Sequence, residues 1–409
     1  MLNAKTQIYK GKYISLYIDN ISTSDVIFTF SGHGANPKNL YGDGFIQQLG
    51  FSGVFFVSLA NHWWQTPELN EAINIANENT KTHSNRIAYG QSMGGYGALL
   101  CAARLKSRVV VTAPQTTLDA RKANISQVWM KDISQFPIVR DNVEDELLSV
   151  DSIKIFYDNK NSSDVSHVEH LKTHINWLDE YTIPYATHNL PRTLKEMGLI
   201  TSLISESFKN EKNNKIEFRK KIRANKTKSI FYILNLRRHT EKSKNKWLHP
   251  FYKKIATSYI EKEISKVRKN DSIASDDGFR DLNCKLISMN QHVEIYDADK
   301  LLFLSRGNDP QLVYNDIPDT ELICRLSFFS NTASYGNIFF LRKSSPGFSP
   351  NDAISFSVKS GINHVTFTLS SIKGNPLEKI RIDPISCSGF FQILEFKFEP
   401  NEEKYEQVI

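Results

Sequence analysis

The stretch Gly90-Gln91-Ser92-Met93-Gly94-Gly95-Tyr96-Gly97 decides the fold. It closes the apolar run NRIAYG (85–90), which reads as a strand, and opens 94–105, which reads as a helix. A serine at the tip of so tight a strand-to-helix turn sits in strained backbone, so its neighbours must lack bulk. Gly90 and Gly94 meet that need. The helix behind the turn aims its N-terminal amides, and their partial positive charge, at the serine. A bare Gly-x-Ser-x-Gly arises often by chance; the strand before it and the helix after it give this one its weight.

Reading outward, β-rich runs alternate with helical patterns from Tyr13 to about Leu203. Strands are expected at 25–31, 53–59, 85–90, 108–113, 153–158 and 182–187, with helices near 67–78, 94–105 and 165–177. Several of the strands are continuous apolar runs, such as GVFFVSL and RVVVTA, as expected of strands covered on both faces. The fold class is therefore α/β, a mostly parallel sheet between helices.

Such a turn presents its serine hydroxyl as a nucleophile, which needs a base, an acid to orient the base, and donors for a developing oxyanion. For the donors, the amide of Met93 and one amide near Gly32 or His33 are expected, because Ser31-Gly32-His33-Gly34 follows the strand DVIFTF and its glycines admit close approach. Lining of an acyl pocket is the other role open to His33. The base is expected at His188, in the loop after TIPYAT, since an imidazole titrates near neutrality and can accept and return a proton. The acid should follow IKIFY: Asp158 at the strand end is the first choice and Asp164, six residues on, the second, with helix capping as its alternative role. Trp63 and Trp64 follow GVFFVSL at the edge where site loops gather, so they and Gln91 are candidates to contact substrate, with core packing as the alternative for the tryptophans.

Together YGQSMGGYGALL, FSGHG, Asn61-His62-Trp63-Trp64-Gln65 and THNLPRTLKEMG resemble the α/β-hydrolase-like proteins encoded among bacterial surface-polysaccharide genes. The resemblance covers about residues 25–203. It implies an α/β-hydrolase domain that adds or removes O-acyl groups, acetyl above all, on a glycan. It also departs from the common pattern, with Asn161 at the spacing where many hydrolases place their aspartate. The C-terminal stretch, with KIRIDP at 379–384 and Gly389, is similar to jelly-roll modules that accompany glycan-handling enzymes.

The 409 residues exceed the ~250–300 at which one core stops growing. Three parts are expected: a catalytic domain over 1–205, a basic helical connector over 206–279 and a β-sandwich over 280–409. Residues 206–270 hold twenty Lys and Arg against six Glu, a net +14, while the whole chain carries +7. An anionic glycan or a membrane surface would suit that segment, and a solvated helical pair would explain it equally; no nucleic-acid module accompanies it. After about 280 short alternating runs (292–296, 322–329, 337–341, 353–358, 364–369, 379–383 and 391–398) separated by turns point to an antiparallel sandwich.

The start MLNAKTQIYKGKY lacks an apolar leader and no run approaches ~20 apolar residues, so a cytoplasmic location, either free or peripheral to the inner membrane, is expected. The four scattered cysteines, Cys101, Cys284, Cys324 and Cys387, suggest reduced thiols. His167, His170 and His174 with Asp164 share one helical face, yet no HExxH accompanies them, so this helix is read as a surface element and no metal is expected. No cofactor is needed beyond an acyl donor such as acetyl-CoA, should the enzyme be a transferase. Two functions of different class follow: serine-based acyl transfer on a polysaccharide, or a non-catalytic glycan-binding or scaffolding protein.

Overall fold

The computed structural model describes residues 5–22, 24–208, 214–242, 246–270, 285–307, 309–318, 321–369 and 375–400. Cys284 and parts of the basic segment (209–213, 243–245 and 271–279) lie outside them. The chain divides into two compact units, Met1–Ala256 and Thr257–Ile409.

The first unit is built on eight strands, β1 (Thr6–Lys10), β2 (Ile14–Asp19), β3 (Asp25–Phe30), β4 (Ser52–Ser58), β5 (Asn85–Ser92), β6 (Arg108–Pro114), β7 (Ile153–Tyr157) and β8 (Asp179–Thr182). They lie in the order β1-β2-β4-β3-β5-β6-β7-β8. The pairs β1/β2 and β2/β4 are antiparallel and all others parallel. This is the α/β-hydrolase architecture, with the elbow strand β5 central. The apolar runs are buried along their length: every residue of β4 and of β7 is inside.

Helices of this unit are α1 (Asp43–Leu49), α2 (Glu68–Asn79), α3 (Met93–Cys101), α4 (Gln127–Ile133), α5 (Val143–Leu147), α6 (Ser162–Lys172), α7 (Leu190–Glu196), α8 (Ile200–Phe208), α9 (Lys215–Asn225) and α10 (Ile230–Lys242); α11 (His249–Asn270) crosses into the second. Every residue of α3 is buried, since it runs under the sheet centre. The basic segment is not a fully solvated pair: α10 buries Ile230, Phe231, Ile233 and Leu234, and the Glu196 carboxylate of α7 accepts from Ser229 Oγ and the Phe231 amide. Among the described residues no helix is long and apolar enough to cross a membrane.

Two expectations need correction. The last strand is DEYT, at 179–182, and not 182–187: Pro184 cannot donate to a ladder, and Tyr185 and Thr187 have φ of 67° and 59°, left-handed backbone that breaks up an extended run. The edge hairpin β1/β2 precedes the first expected strand, 25–31; Thr6, Gln7 and Lys10 of β1 are exposed, so that strand lacks an apolar run to announce it.

Among the described residues of the second unit, ten strands, β9 (Lys285–Met289), β10 (Val293–Asp297), β11 (Leu302–Ser305), β12 (Leu312–Asn315), β13 (Leu322–Ser330), β14 (Ser334–Arg342), β15 (Ala353–Val358), β16 (Gly361–Leu369), β17 (Leu377–Asp383) and β18 (Gly389–Pro400), form two antiparallel sheets, β10-β11-β18-β13-β16 and β15-β14-β17-β12-β9. Inward residues of both sheets share one core, and rings meet across it: Tyr314 lies 5.2 Å from Phe396, edge to face. Among the described residues, Cys101, Cys324 and Cys387 form no disulfides.

Candidate active site

Ser92 ends β5 with φ 55° and ψ −122°, and α3 starts at the next residue. A non-glycine residue holds that conformation only where its surroundings over-determine it. The glycines show how tightly they do. A Cβ on Gly90 would stand 2.2 Å from the Gly94 carbonyl oxygen, and one on Gly94 would stand 2.2 Å from that of Phe30. One on Gly97 would meet Trp64 Nε1 at 2.5 Å. Met93 is the first residue of α3, so its amide has no acceptor within the helix and faces the side of the serine.

His188 comes to the same end of the sheet. The Gln91 side chain donates from Nε2 to the His188 carbonyl at 3.0 Å, tying the residue before the nucleophile to the imidazole loop. Gln91, expected at the substrate, is thus a tether of that loop. The His188 Nδ1 lies 2.7 Å from Asp164 Oδ1. Asp164 is wholly buried, while the His188 side chain keeps 28% exposure. With Nδ1–H donating to the carboxylate, the lone pair is on Nε2, a buried atom with no hydrogen-bond partner. Ser92 is 8% exposed and its hydroxyl makes no hydrogen bond to that nitrogen in this structure. Such contacts tighten when substrate fills the site.

The acid at the imidazole is therefore Asp164, the second choice on sequence grounds, and the reason is local. Asn161 caps α6, accepting from the amides of Ser163 and Asp164, so the helix start is already served and the Asp164 carboxylate is free to turn to His188. Asp158 does other work. Its Oδ1 accepts from the Lys160 and Tyr185 amides and its Oδ2 from the Thr187 amide, all within 2.9 Å, pinning the loop that carries His188. Burial pushes its carboxyl above the usual range, while these backbone donors pull the other way.

The helix bearing Asp164 is not a surface element on this face: His167 is fully buried and His170 is 7% exposed. The Thr116 amide donates to His167 Nδ1 at 3.2 Å, which makes that imidazole the Nε2–H tautomer. Burial, with His170 and His188 nearby, pushes its pKa down to about 3.

Opposite the elbow, Gly32 lies beside the Gln91 carbonyl, where a Cβ would still have ordinary contact at 3.7 Å. The neighbouring Gly34 amide is taken by Asn61 Oδ1. His33 Nε2 pairs with Asp132 Oδ2 at 2.6 Å, and Asn61 Nδ2 donates to the same oxygen at 3.1 Å. The imidazole is flanked by Trp63 and Trp129, at 6.0 and 6.3 Å between ring centroids. Trp129 also lies 5.2 Å from the His188 ring, so it bridges the two imidazoles. The tryptophan pair divides: Trp64 is core, its Nε1 donating to the Met93 carbonyl and its ring packing edge-on to Phe30. Trp63 is as deeply buried but lies against His33 and Trp129, and its Nε1 has no partner.

Trp129 and Asp132 were not legible as site residues. They sit on α4, in the 115–152 excursion between β6 and β7, and the available signal was Ser126, whose side chain accepts from the Trp129 amide as a helix cap. That cap announces a helix, not where it lands.

No protein-family model matches the chain, and no curated protein matches it by sequence. Among solved structures it is similar to carboxyl esterase 2 of the mycorrhizal fungus Tuber melanosporum, at 14% identity over 50% of this chain and 86% of that one, with a TM-score of 0.37. It is similar to Est1E of Butyrivibrio proteoclasticus, at 13% over 54% and 99%, TM-score 0.34, and to the esterase Pf2001 of Pyrococcus furiosus, at 16% over 50% and 91%, TM-score 0.35. At these identities and scores the likeness concerns the fold of half the chain, and the strand order and elbow above carry that assignment without it.

Proposed function

We propose that this chain is a serine-dependent acyl hydrolase or acyltransferase that acts on O-acyl esters of a bacterial surface polysaccharide or its precursor. One observation carries the chemistry: a fully buried carboxylate holds one nitrogen of the imidazole tethered to the elbow and leaves the other unpartnered. Ser92 Oγ attacks the ester carbonyl carbon and its proton passes to His188 Nε2. The resulting imidazolium is stabilised by Asp164, and the oxyanion by the Met93 amide and a donor of the Gly32–His33 turn. Collapse expels the alcohol, which takes the proton from Nε2 and leaves an acyl group on Ser92. Water or a sugar hydroxyl then attacks that acyl group, with His188 again accepting the proton and returning it to Ser92 Oγ as the bond from Oγ to the acyl carbon breaks.

The glycan rests on the resemblance of the elbow and its flanking motifs, and on the half-buried ring of Trp129 beside His188, a face suited to a sugar. The +14 segment would contact an anionic glycan or membrane surface, the sandwich would hold glycan, and a cytoplasmic protein drawing on acetyl-CoA would fit the transferase branch. The scaffolding alternative has no specific observation in its favour at this site.

Incubation with p-nitrophenyl acetate tests the chemistry. Turnover by the wild type and none by Ser92→Ala is expected, with an acetyl mass on Ser92 under rapid quench. Equal rates for the two proteins would overturn the proposal. Faster loss of the acetyl group with an acceptor polysaccharide than in water would assign transfer.

A further inference from the structure

Beyond the serine site, one cluster of side chains has the composition and placement of a metal site. His170 lies on the last turn of α6 and His174 one turn on, just past its end, while Glu144 comes from α5. One ligand atom from each lies within 4.8 Å of the others.

The surroundings prepare these atoms for a cation. Thr116 Oγ1 donates its hydrogen to the His167 carbonyl at 2.9 Å, so towards His170 Nδ1, at 3.3 Å, it acts as acceptor. His170 therefore carries its hydrogen on Nδ1, and its Nε2 keeps a lone pair; that nitrogen is buried without a hydrogen-bond partner in a residue only 7% exposed. Glu144 Oε1 accepts from Lys122 Nζ at 2.9 Å, while its Oε2 is buried with no hydrogen-bond partner. His170 Nε2 and Glu144 Oε2 are thus both buried lone-pair atoms with no hydrogen-bond partner, the kind of atom a cation takes up. His174 is exposed, which gives an ion a path in and leaves a coordination position for water.

We propose that Glu144, His170 and His174 bind a divalent first-row transition ion of the zinc class. Two imidazoles and one carboxylate suit zinc, whereas magnesium and calcium require oxygen ligands throughout. Zinc–nitrogen bonds of ~2.0–2.1 Å require the ligand atoms to draw closer, and the exposed His174 side chain is free to make that movement. The ion ties the end of α6, the helix that carries Asp164, to α5 on the excursion between β6 and β7. It is six residues and more from the acid, so its role is to clamp this helix, and the ester chemistry does not pass through it.

Tag-free full-length protein stripped with chelator is titrated with zinc in competition with a chromophoric chelator, and thermal unfolding is followed with zinc or magnesium added. One equivalent of zinc should bind, and the melting temperature should rise with zinc and not with magnesium. His174→Ala, an exposed truncation that leaves the buried core intact, and Glu144→Gln should each weaken binding by roughly tenfold or more. His188→Ala, which removes the imidazole at the elbow, should bind as the wild type does. The proposal is overturned if the wild type takes up no zinc at roughly tenfold molar excess, if His174→Ala binds as tightly as the wild type, or if His188→Ala is the variant that loses the ion.

Discussion

Asp164 Oδ1 lies 2.7 Å from His188 Nδ1, twenty-four residues away in sequence, and the carboxylate is fully shielded from water. Low local dielectric makes such a pair strong and its disruption costly. Asp164→Asn keeps the shape but can present its amide to the imidazole and reverse the tautomer, so kcat for p-nitrophenyl acetate should fall by about 10³ to 10⁴ with the fold retained. Steady-state kinetics beside circular dichroism check this; near wild-type kcat in a folded Asp164→Asn protein would remove the residue from the mechanism.

Asp158→Asn should give the opposite signature. Its two oxygens accept three backbone amides, so an amide nitrogen there faces at least one N–H donor and leaves it unsatisfied. A loss of roughly 1 to 3 kcal/mol in stability is expected, with kcat per folded molecule changed much less than in Asp164→Asn. Denaturant unfolding paired with kinetics separates the two aspartates.

How far the chain could be read follows from which signals are local. Parallel strands such as GVFFVS carry their burial in an unbroken apolar run, and the elbow carries its strain in glycines, so both are legible residue by residue. The choice between Asp158 and Asp164 was not, because it depends on where two loops converge. Asn161 is visible as a cap only once the helix start is known, and the amides that occupy Asp158 come from residues 160, 185 and 187. Trp129, too, reaches His188 only through tertiary packing.

Gly94→Ala should be far more damaging than Gly34→Ala. At position 94 an added methyl meets the Phe30 backbone oxygen at 2.2 Å, and neither the elbow nor β3 can yield. The cost should exceed about 3 kcal/mol, at the severe end for overpacking. Gly34 has φ 66° and nothing within 4 Å of the new carbon, so only the left-handed conformation is penalised, at about 1 kcal/mol. Melting temperatures of the two variants test the order.

Trp129→Ala removes the ring between His188 and His33, while Asp132→Asn weakens the carboxylate that His33 and Asn61 share. Both residues belong to α4 and not to the Ser92 elbow. If these groups orient the acyl ester, both variants should lose roughly tenfold in kcat/KM, with the acyl-enzyme still forming on Ser92. Comparing acetyl with longer acyl esters reads this directly: an identical loss for every chain length would place the residues outside the acyl pocket.

The pH dependence of stability should carry the mark of His167. Its imidazole is buried neutral with a pKa of about 3, against ~6.5 in an unfolded chain. Between those values the unfolded chain binds the proton more readily, so the contribution to stability is fully present above ~6.5 and is lost as pH falls towards 3. The limiting slope is about 1.4 kcal/mol per pH unit for one such group. His167→Gln loses the acceptor for the Thr116 amide and should be less stable at pH 7, yet it sheds this titration. The stability gap between wild type and variant should therefore narrow from pH 7 to pH 4.5, measured by urea unfolding with chelator present so that no ion bound to the neighbouring histidine intervenes. A gap that stays constant across that range would mean that other groups set the acid sensitivity.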